Sequence, residues 1–341
     1  MKVTNPISAF AILLAAGAIA RAAEKTITVA ADGSGDFKTV QEAIAAAPDK
    51  AADRTTIHIK PGTYLGHFAV PKSKTNLSLV GDDAATTILT WDRNVKMPIP
   101  EGHDKFNPGL HVQGDGFSAE KLTICNTAGD QGQALAVRVD GDRATFTGCR
   151  LLGWQDTLMV NNGRQYFKDC YIEGRVDFIY GSGTAVFDHC KIHSKNGGYV
   201  TAASTPQDKP WGFVFLDCKL TGDAIPWDPA TTNPASTEKP RSTRVASLGR
   251  PWRPYAAVAF VRCEMDSHID PAGWNNWGKA ENEQTARYFE FGNTGPGAKR
   301  DKRVAWAKEL SKDEAGKLTP AAVLGGSDGW NPSQVGTSKR R

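Results

Sequence analysis

A short repeat built around phenylalanine and cysteine constrains the fold more than any other feature of the sequence. Five segments share phenylalanine, two residues, cysteine, one residue, an aliphatic residue or methionine, one residue, and glycine or serine: ATFTGCRLLG, QYFKDCYIEG, AVFDHCKIHS, FVFLDCKLTG and VAFVRCEMDS. Their cysteines lie at positions 149, 170, 190, 218 and 263, at intervals of 21, 20, 28 and 45 residues. Intervals near 20 are too short for a strand–helix–strand unit, and the residues between show no helical periodicity. They indicate a solenoid whose turns are made of short strands.

The repeat predicts an all-β chain folded as one parallel β-helix over residues 23–341, with longer intervals as coils that carry inserted loops. Equivalent residues would then stack about 4.8 Å apart, the spacing of paired strands. An earlier segment, DGFSAEKLTI, fits loosely, with Glu120 at the cysteine position. We expect most of the repeat cysteines to be small buried fillers. Cys170 and Cys190 would lie on neighbouring coils, close enough for a disulfide in an oxidising compartment. A sandwich of antiparallel strands is the alternative fold.

Helical signals occur near both ends of the chain, where a solenoid needs to cover its open core. Thr39 and Glu42 form a capping-box pattern at the start of a helix over 39–48. Ser311 and Glu314 repeat this pattern, and Thr319 precedes a proline at the first helical position. Two loop-like stretches, 91–109 and 227–244, are expected to be insertions that wall a groove.

The first 22 residues have the features of a signal peptide. Lys2 precedes the apolar stretch ISAFAILLAAGAIA, and the small residues up to Ala22 supply a cleavage site. A membrane anchor is the alternative, but we expect an exported, extracellular or periplasmic protein with no membrane contact after cleavage. The net charge of +4 is too small to argue for nucleic acid. Metal-ligand spacings such as C-x-x-C and H-E-x-x-H do not occur in the sequence.

Two aspartates have the spacing of one coil. Asp156 and Asp177 are 21 residues apart, so their side chains are expected to stack on neighbouring strands. A stacked pair has separated pKa values and can supply one acid and one anionic nucleophile. Gln133 and Gln155, 22 residues apart, would place two neutral amide donors nearby, suited to an oxyanion on an acyl carbon. Arg250 is expected to keep a carboxylate ionised.

These motifs together resemble the pectin methylesterase family of carbohydrate esterases. The sequence has QALAV for the family's Q-A-x-A-L, GWQDTL for G-x-Q-D-T-L, DFIYG for D-F-I-F-G, and LGRPW unchanged, and the likeness runs from Ile27 to Trp330. The resemblance implies a right-handed parallel β-helix that hydrolyses the C6 methyl esters of pectin. It also implies a methyl-esterified homogalacturonan partner and no cofactor. The missing metal-ligand spacings separately lead us to expect no metal. We expect a monomer.

The resemblance also implies a role for each matching residue. Asp177 would attack the ester carbonyl, and Asp156 would protonate the departing methanol and then activate water. Gln133 and Gln155 would stabilise the oxyanion, and Arg250 would orient Asp177. The groove for the sugar would be lined by Trp252 and Tyr180.

The chain departs from the family pattern in one stretch and at two positions. FNPGLHVQ replaces the threonine-containing stretch that usually precedes GDGF. Gly66 stands where the family has glutamate, and Tyr180 stands where it has phenylalanine, which leaves subsite preferences open.

A carboxylate pair also suits a retaining glycosidase, and β-helices also include pectate lyases. A third alternative is a non-catalytic carbohydrate-binding β-helix, because a fold does not establish an activity.

Overall fold

The chain winds into stacked coils of parallel strands. The computed structural model describes residues 25–98, 106–223 and 245–334. Within these residues every pairing between named strands is parallel, and each strand pairs with its equivalent on the next coil. The all-β parallel β-helix is therefore confirmed, whereas the signal peptide at 1–22 and the loop at 227–244 lie outside the described residues. The described chain contains no helix with the length and apolar character needed to cross a membrane.

One long sheet forms a complete face of the solenoid. Its eleven strands follow one another along the axis in chain order. They are β1 (Lys25–Val29), β2 (Thr55–Ile59), β5 (Leu77–Gly81), β8 (Ser118–Glu120), β11 (Ala144–Thr147), β14 (Arg164–Lys168), β16 (Thr184–Asp188), β18 (Phe213–Leu216), β21 (Ala257–Val261), β23 (Arg287–Phe291) and β24 (Lys308–Glu309).

The other strands form a second sheet with two arms. One arm contains β3 (Gly62–Leu65), β6 (Thr87–Trp91), β9 (Thr123–Asn126), β12 (Arg150–Leu152), β19 (Lys219–Gly222) and β22 (Glu264–Met265). The other arm contains β4 (Phe68–Val70), β7 (Leu110–Val112), β10 (Val137–Val139), β13 (Leu158–Val160) and β20 (Ala246–Gly249). Two long strands, β15 (Tyr171–Gly181) and β17 (Lys191–Ala203), run through both arms and join them.

A column of stacked phenylalanine rings runs through the core behind the long sheet. The rings of Phe146, Phe167, Phe187, Phe215 and Phe260 stack with successive centroid distances of 4.9, 4.8, 4.4 and 4.3 Å. Their planes are within 12° of parallel. Ring spacings this close to the strand spacing confirm that the sequence repeat marks one coil.

The repeat cysteines form a second buried column. Each thiol from Cys170 onward contacts the carbonyl oxygen of a phenylalanine on the preceding coil, as Cys170 Sγ does with Phe146 at 3.4 Å. All six cysteines are free. The disulfide considered for Cys170 and Cys190 is not formed, and both side chains act as small buried fillers that donate to the backbone.

The loosely matching segment DGFSAEKLTI takes a different register from the one expected. Ala119 pairs with Phe146, and Leu122 precedes the pair Thr123–Arg150, so it occupies the position facing Cys149. The expected place of Glu120 in the cysteine column is therefore wrong by two residues. Phe117 enters the core from the turn before β8, and its ring lies 5.7 Å from that of Phe146. It fills the space that the small side chain of Ala119 leaves open.

The helical signals were read correctly. Helix α1 (Val40–Ala46) begins with the Thr39–Glu42 capping box. Near the other end α2 (Asn282–Thr285) is a single turn, α3 (Lys312–Gly316) follows the Ser311–Glu314 box, and α4 (Pro320–Leu324) follows Thr319. Short 3-10 turns cover Pro296–Ala298 and Pro332–Gln334.

Phe187→Ala is expected to lower the free energy of unfolding by about 3–5 kcal/mol, because the ring is fully buried and its loss leaves a cavity between two stacked rings. Guanidinium unfolding followed by tryptophan fluorescence measures the change. Leu65→Ala is the control, since Leu65 is 66% exposed. A loss for Phe187→Ala as small as that for Leu65→Ala would contradict a stacked core.

Candidate active site

Two aspartates lie on neighbouring coils at the corner that leads into the arm of β10 and β13. Because Leu158 pairs with Ile179, Asp156 stands in register with Asp177. Both have left-handed backbone conformations, with φ of 64° and 52°. Aspartate tolerates this region better than most residues, and such conformations are often found at functional sites. The predicted stacking of the two carboxylates is thus present.

The left-handed conformation of Asp177 breaks the alternation of β15. The register with β17 shifts between Val176 and Ile179. Phe178 and Ile179 consequently both enter the main core, and Tyr180 turns outward toward the same cavity as Asp177. Alternation alone places Tyr180 on the opposite face from Asp177, and the irregularity at Asp177 brings both to the cavity. Gly174 is required here, because a Cβ at that position would lie 2.2 Å from the Cβ of Phe178.

Arg250 holds the carboxylate of Asp177 in a fork. Its Nε donates to Oδ1 at 2.8 Å, and its Nη2 donates to Oδ2 at 2.6 Å. The guanidinium lies between two aromatic rings, 3.8 Å from the centroid of Tyr199 and 3.8 Å from that of Trp277. Neither aromatic residue was predicted from the sequence, because neither belongs to a motif that marks it as a partner of Arg250. A flat, bidentate cation held between two rings restricts the carboxylate to one orientation.

Asp156 has a different environment from Asp177. Gln133 Nε2 donates to Asp156 Oδ2 at 2.9 Å, and the residue is only 4% exposed. Burial is the largest cause of a rise in the pKa of Asp156 to about 7; the charge of Asp177 contributes to this rise, whereas the amide of Gln133 opposes it. Burial also raises the pKa of Asp177, and the fork from Arg250 opposes that shift. Asp156 is therefore the carboxyl that keeps a proton while Asp177 is ionised.

The two glutamines lie side by side at the same corner. Gln133 and Gln155 form an isolated parallel bridge, and the amide N–H of Ala134 donates to the carbonyl oxygen of Gln155 at 3.1 Å. Both side chains line the cavity that holds the aspartates. Their predicted convergence on neighbouring coils is therefore present.

A cavity of about 480 Å³ opens over this corner. Its polar lining consists of Gln133, Arg138, Gln155, Asp156, Asp177 and Arg250, and its apolar lining of Phe106, Met159, Tyr180, Ala202, Trp252 and Trp277. All seven site residues expected from the sequence are among them. Sequence reasoning missed Phe106, Arg138, Met159, Ala202 and Trp277. The signal that could have found Arg138 and Met159 is the repeat itself, since they pair with each other one coil apart and Met159 pairs with Tyr180.

The apolar side of the cavity is a small aromatic cluster. Tyr180 and Trp252 meet edge to face with ring centroids 5.9 Å apart, and Trp277 packs beside them. Burial raises the pKa of Tyr180 well above its usual value, so its hydroxyl stays protonated and can donate. The cavity thus combines flat apolar surface with a few directional polar groups, which suits a carbohydrate ring.

A group of side chains that could hold a metal ion lies away from this cavity. Among the described residues, the one group of three that could meet at a metal ion is Asp188, His189 and Asp217. None of them lines the cavity, and the carboxylate oxygens of Asp188 and Asp217 already accept from Tyr166, His189 and Arg262. The arrangement at the corner instead offers an anchored anion, a protonated acid and neutral amide donors, a set suited to acyl transfer.

Comparisons with known proteins agree with this chemistry. The family model described as Pectinesterase matches residues 26–327. Pectinesterase 31 of Arabidopsis thaliana is 41% identical over 305 residues, covering 86% of this chain and 90% of that protein. The solved structure of a pectin methylesterase from carrot has a TM-score of 0.79 at 34% identity, with 92% of this chain and 97% of that chain covered. A crystal structure of a pectin methylesterase in complex with a hexasaccharide has a TM-score of 0.73 at 28% identity, with 90% and 98% covered.

Proposed function

Because the chain belongs to the pectinesterase family and is a carboxylic ester hydrolase acting on pectin, we propose that it forms a covalent intermediate on Asp177. The reaction is hydrolysis of the C6 methyl esters of polygalacturonate, which releases methanol and leaves free carboxylates. One observation carries the mechanism: the carboxylate forked to Arg250 stands in register with a carboxyl whose pKa is about 7. Such a pair divides into nucleophile and acid.

In the first half-reaction an oxygen of Asp177 bonds to the ester carbonyl carbon. The carbonyl electron pair moves onto its oxygen, where amide N–H groups of Gln133 and Gln155 donate hydrogen bonds. Gln133 uses one N–H on Asp156 and has a second for the oxyanion. As the tetrahedral centre collapses, Asp156 gives its proton to the methoxy oxygen and methanol leaves. The product is an anhydride between Asp177 and the galacturonyl carbon.

In the second half-reaction Asp156, now ionised, takes a proton from water. The oxygen of that water bonds to the acyl carbon, and the bond to Asp177 breaks. Free galacturonic acid, the Asp177 carboxylate and protonated Asp156 result. The product acid then releases its proton to the solvent, so the cycle closes without a cofactor. Throughout, Arg250 keeps Asp177 oriented, and the ring of Trp252 offers a flat surface to the sugar.

Methanol release from highly methylated pectin tests the proposed reaction. We expect methanol in amounts equal to the carboxylates formed, with no new reducing ends and no unsaturated products. A chelator should leave the rate unchanged. Reducing ends would indicate a glycosidase, unsaturated ends a lyase, and binding to the polymer without any product a non-catalytic protein.

Gln133→Leu is expected to move the alkaline limb of the pH–rate profile to higher pH. Asp156 must be protonated to release methanol, so the rate falls as pH rises through its pKa of about 7. The Gln133 amide lowers that pKa, and its removal raises it. The loss of one oxyanion donor should also reduce kcat by about 10²-fold. The exposed Gln284 supplies the control Gln284→Leu, and an alkaline limb at the wild-type pH in Gln133→Leu would contradict this role.

We further propose that residues 1–22 are removed on export and that the mature chain, 23–341, acts outside the cell membrane as a monomer. The family's polymeric substrate supports this proposal, because a cell-wall polysaccharide is met outside the cytoplasm. N-terminal sequencing of protein recovered from the culture medium, together with light scattering, tests both parts. An uncleaved, cell-retained chain would contradict the export, and a dimer mass would contradict the monomer.

A further inference from the structure

A lysine outside the cavity contacts the corner formed by residues 153–157, which carries Gln155 and Asp156. Lys195, in β17, places its Nζ 3.6 Å from the ring centroid of Trp154. The same ammonium donates to the carbonyl oxygen of Gly153 at 3.2 Å and to Glu173 Oε1 at 3.1 Å. Its side chain is only 17% exposed, so these contacts are partly shielded from water and salt. Lys195 therefore holds the two residues at which the chain enters the corner.

The last residue of the corner is hydrogen-bonded to Glu173, the glutamate that also accepts from Lys195. Thr157, which follows Asp156 directly, donates from Oγ1 to the carbonyl oxygen of Glu173 at 3.0 Å. The side chain of Glu173 meanwhile accepts from Lys195 and, at 2.9 Å, from the hydroxyl of Tyr171. Glu173 thus links the entry of the corner, through Lys195, with its exit, through Thr157.

The corner between the Lys195 contacts and the Thr157 hydrogen bond leaves no free space inside it. A Cβ at Gly153 would lie 2.5 Å from Thr157 Oγ1, so no side chain fits inside it. Asp156 lies in this corner with φ of 64°, a conformation that persists when the surroundings enforce it. The directions of the Asp156 carboxyl and the Gln155 amide both follow from the backbone of the corner.

We propose that Lys195 is a positioning residue for the reaction, acting through Gly153 and Trp154 on the acid Asp156 and the oxyanion donor Gln155. It does not line the cavity, so it makes no part of the surface that the substrate meets. The inference rests on the proposed function. Misplacing an acid by a fraction of an ångström lowers the chemical rate much more than it weakens binding.

The test compares Lys195→Met with Lys195→Arg on methylated pectin. Methionine keeps apolar cover on Trp154 and removes the charge and the donors, whereas arginine retains both. We expect kcat to fall about tenfold in Lys195→Met with KM within about twofold of wild type, and Lys195→Arg to recover most of the rate. Lys219→Met is the matched control, because Lys219 pairs with Glu264 at 2.8 Å on the neighbouring strand and is half exposed. It should keep the wild-type kcat.

A second variant separates the contact from the charge. Trp154→Leu removes the ring beneath the ammonium, and its loss in kcat should combine with that of Lys195→Met less than additively, since both loosen the same corner. The alkaline limb of the pH profile should move in both variants, because Asp156 is displaced. If Lys195→Met does not fold, Trp154→Leu alone provides the test. Wild-type kcat and an unmoved alkaline limb in the folded variants would overturn the proposal, as would a rise in KM at unchanged kcat.

Methanol release by the wild-type chain distinguishes the proposed function from the role of Lys195. If the wild-type chain releases no methanol, the proposed function fails. Lys195 is then judged by the carboxyl NMR titration of Asp156, which should shift in Lys195→Met and not in Lys219→Met. If the wild type releases methanol and Lys195→Met matches it, the inference alone is wrong.

Discussion

Asp177→Asn is expected to reduce methanol release at least about 10³-fold, the scale of loss when a covalent nucleophile is removed. An amide has no anionic oxygen to bond to the ester carbon. Asparagine has nearly the same shape as aspartate and also accepts the left-handed φ of 52°, so the corner should remain folded. Methanol release and circular dichroism, measured on the same preparation, separate the loss of chemistry from a loss of structure.

The chain supplies an unusually close control for this variant. Asp217 has the same φ of 52°, and Arg262 forks onto it with distances of 2.8 and 2.7 Å. It lies outside the cavity, so Asp217→Asn should keep full activity. Wild-type activity in Asp177→Asn, or equal losses in both variants, would show that Asp177 is not the nucleophile.

Asp156→Asn is expected to lose activity and, at pH 8, to unfold at higher denaturant than the wild type. The pKa of Asp156 in the folded chain is about 7, above the ordinary value of 3.8, so folding favours its protonated form. The stability from this group is fully present below pH 4 and is lost as pH rises through 7. About three pKa units correspond to about 4 kcal/mol, and asparagine never ionises. The gain should therefore grow between pH 4 and pH 7 and then level off.

The control for this pH dependence has the opposite sign. Asp140 accepts from His111, Asn161 and Arg138, and although burial alone would raise its pKa, these partners lower it to about 2. The contribution of Asp140 to the free energy of unfolding is present above pH 4 and is lost as pH falls through 2. Asp140→Asn should therefore destabilise the fold at pH 8, where Asp156→Asn stabilises it. Guanidinium unfolding at several pH values measures both, and destabilisation by Asp156→Asn at pH 8 would contradict the raised pKa.

The reaction centre could be predicted because its members are separated by the length of one coil. Asp156 and Asp177, like Gln133 and Gln155, recur after 21 or 22 residues, and the phenylalanine–cysteine repeat has nearly the same interval. Once the repeat is accepted as a coil, stacking of these pairs follows from the spacing of parallel strands.

Contacts that depend on side chains from several coils could not be predicted in this way. The rings of Tyr199 and Trp277 enclose Arg250, and Lys195 holds the Gly153–Trp154 turn, across sequence separations that no local pattern records. The predicted register of Glu120 was wrong for a related reason. A single large side chain, Phe117, reaches the core from a turn and resembles the repeat without belonging to it.

The sequence by itself determined the period of the solenoid and the residues that meet on neighbouring coils, because a core of constant width requires similar side chains at the same place in every turn. Only the tertiary structure decided the direction in which those residues point. The left-handed conformations of Asp156 and Asp177 and the irregularity in β15 turn both carboxyls and Tyr180 into one cavity. Packing across coils enforces them, since alternation along a single strand would have placed Tyr180 on the other side.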